Sequence, residues 1–316
     1  MNKYSGNLLV DKTAYLVLFM RSLYSNPDSL ASRFAQFLDV NNIMASHVQE
    51  HVRAKWPLAN FSMIADKMEE IRRGISLLTP IIEVRTEVTQ SLALQLGFDC
   101  LCALGGGLSP TLIELAQQSD KLAFHTDYSK DVLTHLGAFM ESELLTGKPD
   151  NLSLHQVDIL DKYQMKELAR MLRGKKVLFY TEGVLQYFDL TAKGLFLDIW
   201  KEISYALPGS IFITQDLRSK KDVRSILSLD ETALLVTELV AGMTGVRIVD
   251  NSYDSHQDIR EEISRHQLAF QDYYPFNILG FKINSLASLR LPGIDAERTI
   301  ERLKDRRIYA IRSARF

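Results

Sequence analysis

Cysteine is nearly absent from this chain: 316 residues carry two, Cys100 and Cys102. They stand two apart on one predicted strand, so their side chains share a face, roughly 7 Å apart. That geometry is poor for a disulfide, which leaves two small core residues and the expectation of a reducing, cytoplasmic setting. Charge of one sign is missing too, with 37 Lys and Arg against 39 Asp and Glu and a formal net charge of -2. No basic block is long enough to suggest a nucleic-acid or membrane partner, and Lys304-Asp305-Arg306-Arg307 reads as a solvated helix end. The most apolar stretch, Thr232 to Val246, is cut by Glu238 and glycines and is too short to span a bilayer. Met1-Asn2-Lys3-Tyr4 leads into no signal-type apolar core. No Cys/His cluster has metal-ligand spacing, so no metal is expected. Repeats and low-complexity tracts are absent as well.

What is present is a change of rhythm. Up to about residue 97 the chain reads helical. Thr13 to Tyr24 carries apolar residues at helical spacing, and Pro27-Asp28-Ser29 restarts a helix with Leu30, Phe34, Phe37 and Leu38 on one face. Asn60 to Leu78 reads as another amphipathic helix. Thr79-Pro80 then predicts an N-cap and a fresh helix running through Arg85 toward Leu96. From Phe98 strands and helices alternate, with strands expected at 98-104, 121-126, 152-157, 176-181 and 210-215. Such alternation predicts an α/β fold with a doubly wound, Rossmann-like parallel sheet. A largely helical insertion, about 217-270, precedes two last strands near Tyr273-Tyr274 and 307-312. The expected organisation is a helical N-terminal cap over 1-97 and one catalytic domain over 98-316.

Candidate chemistry sits at the strand ends, where an open α/β sheet places its ligands. Leu101-Cys102-Ala103-Leu104 runs into Gly105-Gly106-Gly107, a loop stripped of side chains, and Ser109-Pro110 opens the next helix. Backbone N–H groups and a helix N-terminus are therefore expected to face a ligand. A dinucleotide fingerprint needs a further glycine where Pro110 stands, which speaks against a nicotinamide dehydrogenase. Asp127 ends the second strand and can accept both ribose hydroxyls, or else cap the helix from Ser129. Asp158 follows the third strand and can accept from an adenine amino group, with Ile159 and Leu160 against the ring. Asp161 is the better cap for the helix there. Glu182 ends the fourth strand, a buried carboxylate that needs a cation or hydrogen-bond donors. One bare strand end and one acidic one suggest a nucleoside-bearing cation, for which S-adenosyl-L-methionine (AdoMet) is the natural candidate.

These residues carry a resemblance. Arg85-Thr86, Leu104-Gly105-Gly106-Gly107-Leu108, the strand ending at Asp127, Val157-Asp158, Thr181-Glu182-Gly183-Val184-Leu185-Gln186-Tyr187-Phe188 and Leu207-Pro208-Gly209-Ser210 fall in the order seen in the leucine carboxyl methyltransferase family. The match covers about residues 80-216, with a looser fit over Thr13-Ala14 through Arg21. That family comprises class I AdoMet-dependent methyltransferases that act on protein C-termini, and bacterial members that include polyketide O-methyltransferases. The resemblance implies that Arg85 binds the AdoMet carboxylate and that Gly105 and Gly107 lie against the cofactor. It also implies that Asp127 and Asp158 hold ribose and adenine, that Glu182 lies near the methionine end, and that Tyr187 is a catalytic residue beside the transferred methyl. The chain departs from the family at Ser109-Pro110, where an Asp-Thr pair is usual.

Methyl transfer to a hydroxyl needs a general base, whereas a carboxylate acceptor does not. His125, His155 and His256 stand in no catalytic motif, and Asp216, ending the fifth strand, is the best candidate base of a thin set. The expected reaction is therefore carboxyl O-methylation of a polyketide-like small acid or of a peptide C-terminus, with S-adenosyl-L-homocysteine as coproduct. A hydroxyl O-methyltransferase or a non-catalytic AdoMet-binding scaffold are the alternatives.

Overall fold

The computed structural model describes residues 7–279 except 145–146 and 229, together with 295, 297, 301, 303–304 and 306–314. Met1 to Tyr4 and Asp305 lie outside that set. Four helices come first: α1 (Asn7–Tyr24), α2 (Leu30–Phe37), α3 (Val40–Lys55) and α4 (Phe61–Gln95). Strands and helices then alternate as β1 (Cys100–Leu104), α5 (Thr111–Gln118), β2 (Leu122–Asp127), α6 (Lys130–Glu143), β3 (Leu152–Gln156), α7 (Lys162–Met171), β4 (Val177–Thr181), α8 (Leu190–Ala206) and β5 (Ile211–Thr214). Helices α9 (Lys220–Leu227), α10 (Glu231–Thr244) and α11 (His256–Arg265) follow, then β6 (Leu268–Tyr273), α12 (Pro275–Leu279) and β7 (Ile308–Ser313).

All seven strands form one sheet in the order β3-β2-β1-β4-β5-β7-β6. β1 to β5 are parallel, and β7 runs antiparallel to both β5 and β6. This is the sheet of the class I, Rossmann-like methyltransferase fold. Strand order reverses between β1 and β4, and the crevice beyond their carboxyl ends is where such a fold binds ligands.

Both faces of the sheet are covered, so its central strands are chiefly apolar: every residue of β1 and β4 is buried. Leu101, Ala103, Leu178 and Tyr180 pack into one core with α1 to α6, whereas Cys100, Cys102, Leu104 and Phe179 pack on the other face with Trp200 and Phe196 of α8. Both cysteines are free thiols there. No helix of the described residues is long and apolar enough to cross a membrane.

Two expectations are corrected. Helix α4 does not break at Thr79-Pro80; it runs for 35 residues with Pro80 inside. An interior proline removes one backbone bond and costs about 3 kcal/mol. Against that, Ile71, Ile75, Ile81, Val84 and Val88 are all buried along this helix, each worth roughly 1.5–3 kcal/mol. Thr79 does not cap anything: its hydroxyl donates back to the Ile75 carbonyl at 3.1 Å. The second correction concerns the stretch to 270. Helix ends at Arg265 and β6 begins at Leu268, because this edge strand pairs residue by residue with β7.

Candidate functional site

A cavity of about 750 Å3 opens at the carboxyl ends of β1, β2, β3 and β4. Arg85, Gly105, Gly107, Asp127, Asp158, Ile159, Glu182 and Tyr187 all line it. They come from a pre-sheet helix and four strand ends, spread over about a hundred residues of sequence, and the fold brings them to one place.

The glycine loop is built for close approach. Gly105 and Gly107 have φ of 65° and 56°, left-handed values that side chains rarely adopt. Under the loop lies His125, whose Nε2 is 3.0 Å from the Gly107 carbonyl. A Cβ on Gly106 would come within 2.4 Å of that imidazole. The expectation of free N–H donors here is corrected: Gly106 N donates to Thr126 O at 2.8 Å, and Gly107 N to Asp127 Oδ2 at 2.8 Å. The loop offers shape rather than these two donors. Its exit is held from α1, where Arg21 donates to Ser109 Oγ and Thr111 Oγ1, each at 3.0 Å. Ser109 and Thr111, on either side of Pro110, thus share one cation from α1.

Asp127 does not cap α6, whose N-cap is Ser129 with its hydroxyl accepting from Val132 N; it ties the glycine loop to the turn before that helix. One oxygen holds Gly107, while the other accepts from Ser129 N at 2.8 Å, ahead of α6. A carboxylate has about four acceptor sites, so these bonds leave it able to accept from a ligand as well. Asp158 folds its own turn by accepting from Leu160 N at 2.9 Å, and Asp161 caps α7 as expected. Ile159 beside it is buried.

Glu182 and Arg85 set the electrostatics. Oε1 of Glu182 is buried with no hydrogen-bond partner, and so is Nε of Arg85, a side chain only 2% exposed. The two do not pair with each other among the described residues. Gly183, with φ of 81°, lets the chain pass over the guanidinium: a Cβ there would lie 2.9 Å from Arg85 Nη1. Opposite charges therefore face one cavity unneutralised, which is costly in the absence of a ligand carrying both complements.

Asp216 is removed from the candidate bases. Fully buried, it accepts from Gly183 N and Val184 N at 2.8 Å and from Leu185 N at 3.2 Å. It pins the turn that presents Glu182 and Tyr187. His125 is held neutral, since burial pushes its pKa down to about 4. His155, also lowered by burial, stacks on Phe124 with ring centroids 5.2 Å apart, and His256 lies between Tyr309 and Asp222. Burial raises the Tyr187 pKa, opposed by hydrogen bonds with Thr13 and Gln186 and by the Arg85 charge. The phenol therefore stays protonated. Asn251 supports its backbone, donating to Tyr187 O at 2.9 Å.

Arg218 was not foreseen. It stands two residues beyond Asp216, past the end of β5, and being a strand-end position was its only signal.

No protein-family model and no curated protein matches this sequence. Solved structures do align with it. An AdoMet-dependent methyltransferase from Anabaena variabilis aligns at 13% identity over 72% of this chain and 84% of its own, with a TM-score of 0.48. The plantazolicin methyltransferase BpumL, in complex with S-adenosylhomocysteine, aligns at 13% identity over 86% and 98%, with a TM-score of 0.42. An O-methyltransferase family protein from Burkholderia thailandensis aligns at 13% identity over 94% and 76%, with a TM-score of 0.46.

Proposed function

We propose that this chain is an AdoMet-dependent methyltransferase that methylates a carboxylate oxygen, releasing S-adenosyl-L-homocysteine and a methyl ester. The observation that carries the reading is the pair of unneutralised groups, Arg85 and Glu182, facing one cavity at the β1/β4 crevice. A methionine moiety has a carboxylate for the first and an ammonium for the second. A guanidinium meets a carboxylate through two parallel N–H donors, and Glu182 Oε1 gains the donor it lacks. Asp127 takes the ribose hydroxyls, Asp158 the adenine amino group, and Ile159 one face of the ring. Gly105 and Gly107 let the nucleoside approach the backbone.

Bound AdoMet supplies a methyl group on a positively charged sulfur. The protein's task is to hold an acceptor oxygen in line with that methyl and to keep water out. The helices of residues 1-97 and the segment 217-270 act as cap and insertion over the acceptor. Tyr187, at the end of the Glu182 turn, positions the acceptor with a protonated hydroxyl. A carboxylate acceptor suits a site whose nearby Asp216 and His125 are both committed, because it arrives deprotonated.

Thermal shift tests the cofactor reading. AdoMet and S-adenosylhomocysteine should raise Tm while NAD does not, since a ligand that binds only the folded state stabilises it. A shift with NAD alone would redirect the assignment to a dehydrogenase. The acceptor class is tested by treating radiolabelled product with mild alkali, which releases methyl from an ester and not from an ether.

A further inference from the structure

A second cavity, of about 490 Å3, adjoins the first. Thr13, Val17, Arg85 and Tyr187 line both, so the two meet beside the tyrosine. Its walls come from α1, α4, α9 and α10 and are chiefly aliphatic, with Leu16, Met20, Ile81, Ile226 and Val240 among them. Lys55, Glu238, Arg247 and Arg218 interrupt that lining; Lys55 pairs with Glu238 and Arg247 with Asp250, while Arg218 lies within electrostatic reach of Arg85 and Tyr187. Its Nε donates to Gln215 O at 3.3 Å, and its terminal nitrogens make no hydrogen bond among the described residues.

The neighbouring carboxylates cannot answer this charge in full. Asp216 holds three backbone N–H groups, and Asp222 accepts from Ser219 N at 2.9 Å and lies 3.2 Å from His256 Nε2. A further guanidinium, Arg306, is 8% exposed with Nη2 unpartnered, and it interacts with both Arg218 and Arg85. Arg218 and Arg306 thus stand within electrostatic reach of each other beside a chiefly aliphatic chamber, and the carboxylates that act on Arg218, Asp216 and Asp222, are already occupied. A buried cation without a counterion is unfavourable, so the arrangement is built for an anion with an apolar body.

We propose that this chamber is the acceptor site and takes an extended aliphatic monocarboxylic acid, its chain among the aliphatic walls and its carboxylate on Arg218. The assignment rests on the methyltransferase reading above and specifies its substrate. One carboxylate oxygen reaches past Tyr187 and forms the new O–CH3 bond with a lone pair as the S–CH3 bond breaks and its pair stays on sulfur. An anion and a cation become a neutral ester and a neutral thioether, and no proton moves. Losing both charges also weakens the hold of Arg218 on the product.

Calorimetry with octanoate and 1-octanol, each with and without S-adenosylhomocysteine, tests this. Wild-type protein should bind octanoate at least about tenfold more tightly than 1-octanol, the scale of a charge-assisted hydrogen bond. Arg218→Met should abolish that preference while leaving S-adenosylhomocysteine affinity unchanged. Leu227→Trp, which fills the chamber and retains Arg218, should weaken both aliphatic ligands and spare the nucleoside. Equal binding of acid and alcohol by the wild type, or an acid preference that survives in folded Arg218→Met, overturns the assignment. If Arg218→Met does not fold, loss of S-adenosylhomocysteine but not of octanoate in Leu227→Trp overturns it equally. Failure of S-adenosylhomocysteine to bind wild-type protein that still prefers octanoate sinks the methyl-donor reading and leaves the acid site standing.

Discussion

A carboxylate at a strand end can serve a ligand or the backbone, and at Asp127 and Asp216 only the structure tells which. Both were legible as strand-end acids. The commitment of Asp216 was not, because its three donors lie 31 to 33 residues away in another turn. Asp127→Ala removes two loop-holding bonds as well as the proposed ribose contacts. It should weaken AdoMet binding by about 1–3 kcal/mol, as measured by calorimetry, and should also lower Tm. An unchanged dissociation constant would return Asp127 to a purely structural role. His125 gives a pH signature. Its folded pKa, pushed down to about 4 by burial, lies below the unfolded value near 6.5. The neutral form therefore belongs to the native state. Its contribution is whole above pH 6.5 and is lost as pH falls through about 4, to a total of about 3 kcal/mol. His125→Gln should flatten the fall in stability between those values relative to wild type. A parallel fall in both proteins would assign the acid sensitivity elsewhere.

Among the elements, the alternation of β1 to β5 with their helices could be read from periodicity, and their observed bounds differ by a residue or two. Helix α4 could not. Local rules place a cap and a start at Thr79-Pro80, and what overrides them is tertiary packing that a sequence window cannot see. Gly74 marks the closest point of that packing. A Cβ there would lie 2.2 Å from the Thr232 carbonyl oxygen at the start of α10. By helix propensity alone Gly74→Ala should stabilise the chain by roughly 1 kcal/mol. The contact is with backbone, which cannot rotate away, so the net effect should instead be a loss of about 1–3 kcal/mol. Denaturant unfolding decides the sign. A more stable variant would mean that α4 and α10 are free to separate, and with them two walls of the second cavity.

At the scale of the whole molecule, the site is assembled from parts that do not know of one another in sequence. Arg85 sits on a helix before the sheet, Glu182 at the end of β4, and Arg218 beyond β5. Glu182 could be picked out as a carboxylate at a strand end, Arg85 only because a family pattern names it, and Arg218 only once the fold had set it beside a cavity. This separation makes a sharp test. Arg85→Lys keeps the charge but loses the planar fork, and Glu182→Gln keeps the shape but loses the charge. Each should weaken AdoMet more than adenosine, which carries neither the carboxylate nor the ammonium. On the proposed reading, in which its hydroxyl serves the acceptor, Tyr187→Phe should leave AdoMet affinity nearly intact and lower turnover. Equal weakening of adenosine and AdoMet in both charge variants would point to a folding defect instead. The methionine assignment would then fall, while the ribose and adenine contacts of Asp127 and Asp158 would remain to be tested by adenosine alone.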